Sequence, residues 1–427
     1  MISFGAVIVL LILIALGVHI AVALGLVAGG LILFAGVNIP ISLAAQAAWD
    51  GIDKYSLVAI PFFIFAGNIM SRGNLALVIL DLIGCVVRWF RGGVALAVAA
   101  SSVFFAAVNG SSVACAVALG PAATRLLPKE GYPQQFAAAL VAVCGTLGLM
   151  IPPSLTFILI GSIVGLPVSD LFIAGTIPGL MEAALLGLTT VLISRWKGYG
   201  GATQPIDVPG FFSRLPRATG AIAMPILIIG SIYAGLFTPT EVSALAAIYA
   251  IVLVLFVYRT ANLAAIWETA RESVMQTGLI YGILLASGLL TVVLTRLGLA
   301  AELTQFMVEY NVSAFQFLLA VNLALIVIGM FIDGVSMIVL LAPLLFPMAQ
   351  TAGVNPIHFA VIMTALVEVA TLTPPVGLNL FVMSRITNLP LHSVIAGVFP
   401  FYAMRVVALI LINAFPFLSL ALLRSTP

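Results

Sequence analysis

Residues 105–154 read FAAVNGSSVACAVALGPAATRLLPKEGYPQQFAAALVAVCGTLGLMIPPS, and residues 329–376 repeat the design as GMFIDGVSMIVLLAPLLFPMAQTAGVNPIHFAVIMTALVEVATLTPPV. Asn109-Gly110-Ser111-Ser112 corresponds to Asp333-Gly334-Val335-Ser336 at an offset of 224, which also relates Ser71-Arg72 to Thr295-Arg296. After a slip of two residues, Pro121, Gly131, Ala138 and Pro152-Pro153 correspond to Pro343, Gly353, Ala360 and Pro374-Pro375 at an offset of 222. Small, polar and helix-breaking residues that interrupt apolar runs at matching points of two half-chains point to a transporter's binding site.

The 427-residue chain is 63% hydrophobic and 7% charged, with a mean hydropathy of +1.28. A soluble domain carries about 25% charged residues, so this chain could not cover its own surface in water. It reads as an all-α polytopic membrane protein. Charge-free runs recur at 92–124, 131–169, 218–240, 242–258, 273–295, 310–332, 334–367 and 406–423. The N-terminal run MISFGAVIVLLILIALGV lacks a basic start and a small-residue cleavage site, and reads as a retained span. The net charge of +2 comes from basic residues scattered as loop punctuation, which gives no sign of a nucleic-acid surface. Cys85, Cys115 and Cys144 sit in apolar runs without metal or redox spacing and read as small core residues. The sequence has no P-loop lysine, HExxH or GxSxG. The expectation is therefore no enzyme and no organic cofactor, with energy drawn from a gradient.

The long polar stretch 195–217, with Lys197 and Arg214, divides the chain. It reads as a cytoplasmic linker by the positive-inside rule, between an N-terminal half (1–194) and a C-terminal half (218–427). Arg88 and Arg91 precede the run 92–124, and Arg125 and Lys129 follow it. The 12 residues from Val113 to Thr124 make about 18 Å of helix, too short for a hydrocarbon core of ~30 Å. A re-entrant hairpin over about 92–124 follows, with its tip at Asn109–Ser112 and a broken helix after it at about 134–165. The second half repeats this with a hairpin at about 312–348, tipped by Asp333–Ser336, and a broken helix at about 357–386. No Lys or Arg flanks the second hairpin, so it enters from the opposite face and the two repeats are inverted. Before each hairpin lies an amphipathic segment. One places Leu75, Val78, Ile79, Leu82, Ile83 and Val86 on a stripe; the other places Leu299, Leu303, Phe306, Met307 and Tyr310. Thr238-Pro239-Thr240-Glu241 reads as a helix start in which Glu241 caps.

The chemistry concentrates at the two interruptions, Gly145–Ser154 and Glu368–Asn379. Proline lacks an N–H and pushes the residue before it out of the α region. A proline pair therefore unwinds the helix and bares carbonyl oxygens that suit Na⁺, while half-helix N-termini favour anions. A plain proline kink is the bland reading, and recurrence at a fixed offset argues against it. Asp333 is an acid at mid-membrane depth, where insertion costs about 2.5–3.5 kcal/mol, and is a candidate cation ligand. A partner for a nearby Arg, or a hairpin-tip turn residue bonding its own backbone, is the other reading of Asp333. Glu368 and Glu182 are weaker candidates of the same kind. Arg385 is either a partner for a substrate carboxylate or a snorkelling anchor at a helix end.

Five motifs in order now identify a resemblance. They are Pro61–Asn68 (PFFIFAGN), Phe105–Ser112, Gly145–Ser154, Gly235–Glu241 (GLFTPTE) and Thr373–Leu380 (TPPVGLNL). Together they resemble the large membrane (M) subunit of tripartite ATP-independent periplasmic (TRAP) transporters, the DctM type, over essentially the full length. The resemblance implies a fold similar to the elevator-type ion transporter superfamily, in a bacterial inner membrane. It implies a small four-helix membrane (Q) subunit, a periplasmic substrate-binding (P) protein that delivers an organic acid, and Na⁺ as the driving ion. It places one Na⁺ among Asn109, Ser111, Ser112, Gly145, Thr146 and Pro152, and a second among Asp333, Gly334, Ser336, Thr371, Thr373 and Pro374. Substrate would lie between the tips, with Asn109, Ser112, Ser154, Gly377, Asn379 and Arg385 as candidates. C4-dicarboxylates, sialic acid and other sugar or keto acids are the family's cargoes, and no motif here separates them. The alternatives are a stand-alone Na⁺-coupled anion transporter or antiporter, an ion channel, and a membrane enzyme.

Overall fold

A computed structural model describes residues 2–34, 37, 39–201 and 204–423, and every regular element among them is helical. The first half comprises α1 (Ile2–Ala15), α2 (Ile20–Phe34), α3 (Ile41–Asp50), α4 (Ala59–Arg72), α5 (Leu75–Val87), α6 (Gly93–Asn109), α7 (Ser112–Lys129), α8 (Gln134–Met150), α9 (Leu155–Val164) and α10 (Val168–Lys197). The second comprises α11 (Val208–Tyr233), α12 (Pro239–Val252), α13 (Leu263–Arg296), α14 (Leu299–Glu309), α15 (Ala314–Gly329), α16 (Gly334–Thr351), α17 (Pro356–Ala370), α18 (Leu378–Thr387), α19 (Leu391–Ala414) and α20 (Phe417–Leu420). Among the described residues, eight helical stretches are long and apolar enough to cross a bilayer. The chain is a multi-pass membrane protein.

The repeat extends well beyond the stretch that reveals it. Helices α5 and α14 begin at an offset of 224; α9 and α18, and α10 and α19, begin at an offset of 223. Left-handed residues punctuate both halves alike: Asn74 and Gly298, Gly131 and Gly353, Gly165 and Asn388. The expected architecture of two repeats, each a helical hairpin followed by a broken helix, is borne out. Hairpin α6–α7 precedes the broken helix α8–α9, and hairpin α15–α16 precedes α17–α18.

Two groups of helices frame this arrangement. Helix α12 packs along α4, and α2 reciprocally packs along α13. Asn68 Nδ2 donates to Ser273 Oγ at 2.9 Å, and Arg72 pairs with Glu268 at 2.8 Å and Glu272 at 2.7 Å, joining α4 to α13. Glu241 caps α12: its Oε2 accepts from the Thr238 N–H at 2.8 Å while Thr238 Oγ1 accepts from the Glu241 N–H at 3.3 Å. Inside lie α8, buried from Phe136 to Gly148, and α17, buried from His358 to Ala370. A helix that is apolar on all sides has to be surrounded, and these two are. Cys85, Cys115 and Cys144 are buried and unpaired.

Three details differ from the sequence reading. Helix α7 does not stop at the basic residues but runs through Arg125 to Lys129, 18 residues in all or about 27 Å. Its length therefore no longer excludes a crossing, and the hairpin is recognised by where its tip packs. The polar link is shorter than 195–217: α10 continues to Lys197 and α11 starts at Val208, so Arg214 and Arg217 are helical. Of the amphipathic stripe, Leu75, Ile79 and Leu82 are buried, but the face also turns to Ala76, Leu80 and Cys85, leaving Val86 exposed. Helix α5 is clasped by α6 and α11, which sets its rotation. Helix α14 has no such clasp; it buries only Met307 and exposes Phe306 and Tyr310.

Candidate functional site

Each hairpin tip rests on the break of its own repeat. In the first half, Gly110 adopts the left-handed conformation (φ 61°) that ends α6, and its carbonyl accepts from the Leu155 N–H at 3.3 Å. A Cβ at Gly110 would stand 2.6 Å from the Pro153 carbonyl oxygen, so only glycine lets the tip meet the unwound prolines. Gly145 serves the same approach from the helix side, since a Cβ there would be 2.7 Å from the Ser112 carbonyl. In the second half, the Val376 N–H donates to the Met330 carbonyl at 3.1 Å, tying that tip to the second break. The peptide bond between the paired prolines is cis in both breaks.

The repeats also cross over. Asn379, fully buried at the start of α18, donates from Nδ2 to Ser112 Oγ at 2.6 Å and to the Ala142 carbonyl at 2.9 Å. The second broken helix thereby reaches the first tip. Asn379 Oδ1 and Asn109 Nδ2 are buried without a hydrogen-bond partner among the described residues. Buried polar groups are normally satisfied, so these two atoms keep the capacity for a further polar partner.

At the second tip, Asp333 caps α16. Its Oδ2 accepts from the N–H groups of Val335 at 3.1 Å and Ser336 at 3.3 Å, and its Oδ1 accepts from Ser336 Oγ. Within the second break, Thr371 Oγ1 donates to the Glu368 carbonyl at 2.8 Å and Thr373 Oγ1 to the Val369 carbonyl at 2.7 Å. Ser154 caps α9 by accepting from the Phe157 N–H at 3.4 Å. Gly377, left-handed, begins α18. The breaks differ in exposure: residues 151–160 are all buried, whereas Thr373–Val376 are partly open.

The structure brings Asn109, Gly110, Ser111 and Ser112 together with Gly145, Gly148, Pro153 and Asn379. It brings Gly329 and Gly334 against Ala370 and Val367. Arg385 is left outside: it sits in the last turn of α18, exposed, at the end opposite the break. Thr146 is turned inward, its Oγ1 donating to the Val143 carbonyl at 2.8 Å and accepting from Arg405 Nη2. Arg405 itself escapes the sequence reading. It looks like the boundary of an apolar run, yet it is 1% exposed and pairs with both Glu182 and Glu368 at 2.6 Å. Following the repeat past the prolines would have found it, because Glu182 and Arg405 correspond at an offset of 223.

Comparison with known proteins adds the family. The solved structure of the Alcanivorax borkumensis YdaH transporter superposes over 90% of this chain and 89% of its own, with a TM-score of 0.61 at 17% identity, and so shares the fold. The C4-dicarboxylate TRAP transporter large permease protein DctM of Pseudomonas aeruginosa is 36% identical over 87% of this chain and 86% of its own length. The sialic acid TRAP transporter large permease protein SiaM of Vibrio cholerae is 30% identical over 90% of this chain and 89% of its own. A family model described as the DctM component of the tripartite ATP-independent periplasmic transporters matches residues 7–418. Near-complete coverage at such identity bears out the resemblance read from the five motifs: the chain belongs to the DctM family and is a transporter permease subunit rather than an enzyme.

Proposed function

We propose that this chain is the subunit through which an organic carboxylate anion enters the cell together with Na⁺, in the bacterial inner membrane. The observation that carries the reading is the meeting of both hairpin tips with both helix breaks, cross-linked by Asn379. The N-termini of α7, α9, α16 and α18 open at these tips and breaks, and the partial positive charge of helix N-termini favours an anion. Carbonyl and hydroxyl oxygens beside them suit Na⁺, with Asp333 supplying a formal charge at the second tip. In this reading Na⁺ is cargo: it neutralises and orders the tips before the anion binds between them.

Relatives named for a C4-dicarboxylate and for sialic acid stand at 36% and 30% identity. Both names denote carboxylates, which supports the class without choosing the member. As one component of a tripartite system, the chain would work with a small membrane subunit and a periplasmic binding protein that presents the acid. The bundle around α8 and α17 would then slide against the α2–α4 and α11–α13 frame in an elevator cycle. The test is uptake of radiolabelled succinate and sialic acid into proteoliposomes holding this chain, its small subunit and the loaded binding protein. Uptake is expected under an inward Na⁺ gradient and not with choline. Equal uptake in choline would refute Na⁺ coupling, and full uptake by this chain alone would favour a stand-alone transporter.

A further inference from the structure

Four helices meet at the guanidinium of Arg405. Nη1 lies 2.6 Å from Glu182 Oε2 on α10 and 2.6 Å from Glu368 Oε2 on α17. Nη2 donates to Thr146 Oγ1 on α8 and reaches the Val143 carbonyl at 3.5 Å. The register of the repeat makes this more than a local ion pair. Glu182 and Arg405 are counterparts at an offset of 223, and Thr146 and Glu368 are counterparts at an offset of 222. Counterparts that touch each other must lie on the axis that relates the two halves. The cluster therefore stands at the pseudo-two-fold centre of the molecule.

The partners on α8 and α17 lie in the turns that lead into the breaks. Thr146 is fixed one turn before the first break, and the Glu368 carbonyl accepts from Thr371 Oγ1 at the start of the second. Arginine suits the place because its planar fork donates in several fixed directions from one charge, which lysine cannot do. Buried ion clusters add little net stability over apolar packing of the same volume, so stability alone is a poor account of this one.

We propose that Arg405 is a positioning residue whose fork fastens the last turn of α8 to the last turn of α17 across the axis, so that the two breaks keep one geometry relative to each other. Glu182 anchors the fork on α10. The inference rests on reading the breaks as the ion and substrate site, and its test is built to be separable from that reading.

The experiment is hydrogen–deuterium exchange on the full chain in lipid nanodiscs, first in choline chloride and then in NaCl. In choline, R405Q is expected to speed exchange about tenfold or more in both 145–154 and 368–379. R405K keeps the charge but not the fork, and T146V removes only the side-chain acceptor on α8, leaving the longer contact to the Val143 carbonyl; both are expected to loosen 145–154 more than 368–379. The exchange E182R/R405E returns a guanidinium to the same partners by symmetry and is expected to restore both segments to within about threefold of wild type. Faster exchange confined to α19 in R405Q would overturn the proposal, as would a folded E182R/R405E that exchanges as fast as R405Q. Should that double variant not fold, R405K and T146V decide, and wild-type exchange at 145–154 in both would overturn it. The NaCl arm addresses the other reading: failure of Na⁺ to slow exchange at the wild-type breaks would sink the ion site while leaving the choline result to stand for Arg405.

Discussion

A carboxylate that caps a helix need not be spent by doing so. Asp333 accepts two backbone N–H groups and one hydroxyl, yet an ionised carboxylate offers about four lone-pair sites. The two roles can be separated. Asparagine caps about as well as aspartate, whereas alanine costs about 1 kcal/mol. In choline, D333N is expected to unfold near the wild-type temperature and D333A lower; in NaCl, both are expected to lose the Na⁺-dependent rise in Tm. A D333N protein that keeps that rise would leave Asp333 with capping alone. Gly145 makes a purely steric prediction. A methyl there would stand 2.7 Å from the Ser112 backbone carbonyl and 2.9 Å from Asn379 Nδ2, which two hydrogen bonds hold in place, so G145A should cost about 1–3 kcal/mol, read as a lower unfolding midpoint in denaturant. The tips and breaks were legible because Asn, Gly, Ser and Pro stand out against an apolar background at the residues themselves. Arg405 does not stand out in this way, since its partners lie up to 262 positions away and only the register of the repeat, not a local pattern, picks out the buried arginine.

At the scale of elements, what could be read was periodicity and interruption; what could not be read was which helix lies beside which. The hairpins and broken helices fall where glycine and proline put them. The rotation of α5 was only half legible, because its clasp by α11 comes from beyond the polar link. The inference of a short second hairpin arm failed for a related reason: Arg125 and Lys129 are carried on α7 itself, so basic residues marked a helix end and not a loop. Asn379 gives the element-scale test. It joins α18 to α7 and α8 across 267 and 237 positions. N379A would leave Ser112 Oγ and the Ala142 carbonyl without that donor, at a cost of about 1–3 kcal/mol. The expected readout is faster hydrogen exchange at Ser111–Val113 in the first tip, although the substitution is in the other half of the sequence; unchanged exchange there would mean the repeats are joined elsewhere.

At the scale of the whole molecule, side-chain hydrogen bonds among the described residues tie the frame to the bundle at a few points, and one is open to test. Between α3 and α4, Lys54 Nζ donates to the Ser162 carbonyl at 2.5 Å and Ser56 Oγ lies 2.7 Å from Ser162 Oγ. Burial holds the Lys54 ammonium below the usual lysine range, with Asp50 opposing the shift. If the bundle slides, this contact has to part. A disulfide in S56C/S162C is expected to stop uptake in proteoliposomes and reduction to restore it, while the Na⁺-dependent rise in Tm survives; full uptake by the oxidised protein would exclude sliding at this seam.

The unequal sealing of the two breaks has one more consequence. If the bundle moves as proposed, two arms drawn from the same template, one shut and one ajar, would let each take its twin's pose, and the doorway would change sides of the membrane without any new packing having to be invented. A hydrophilic thiol reagent should then modify a cysteine placed at Thr373 and spare one at Ser154 in the posture described here, with the preference reversed once the molecule has turned over.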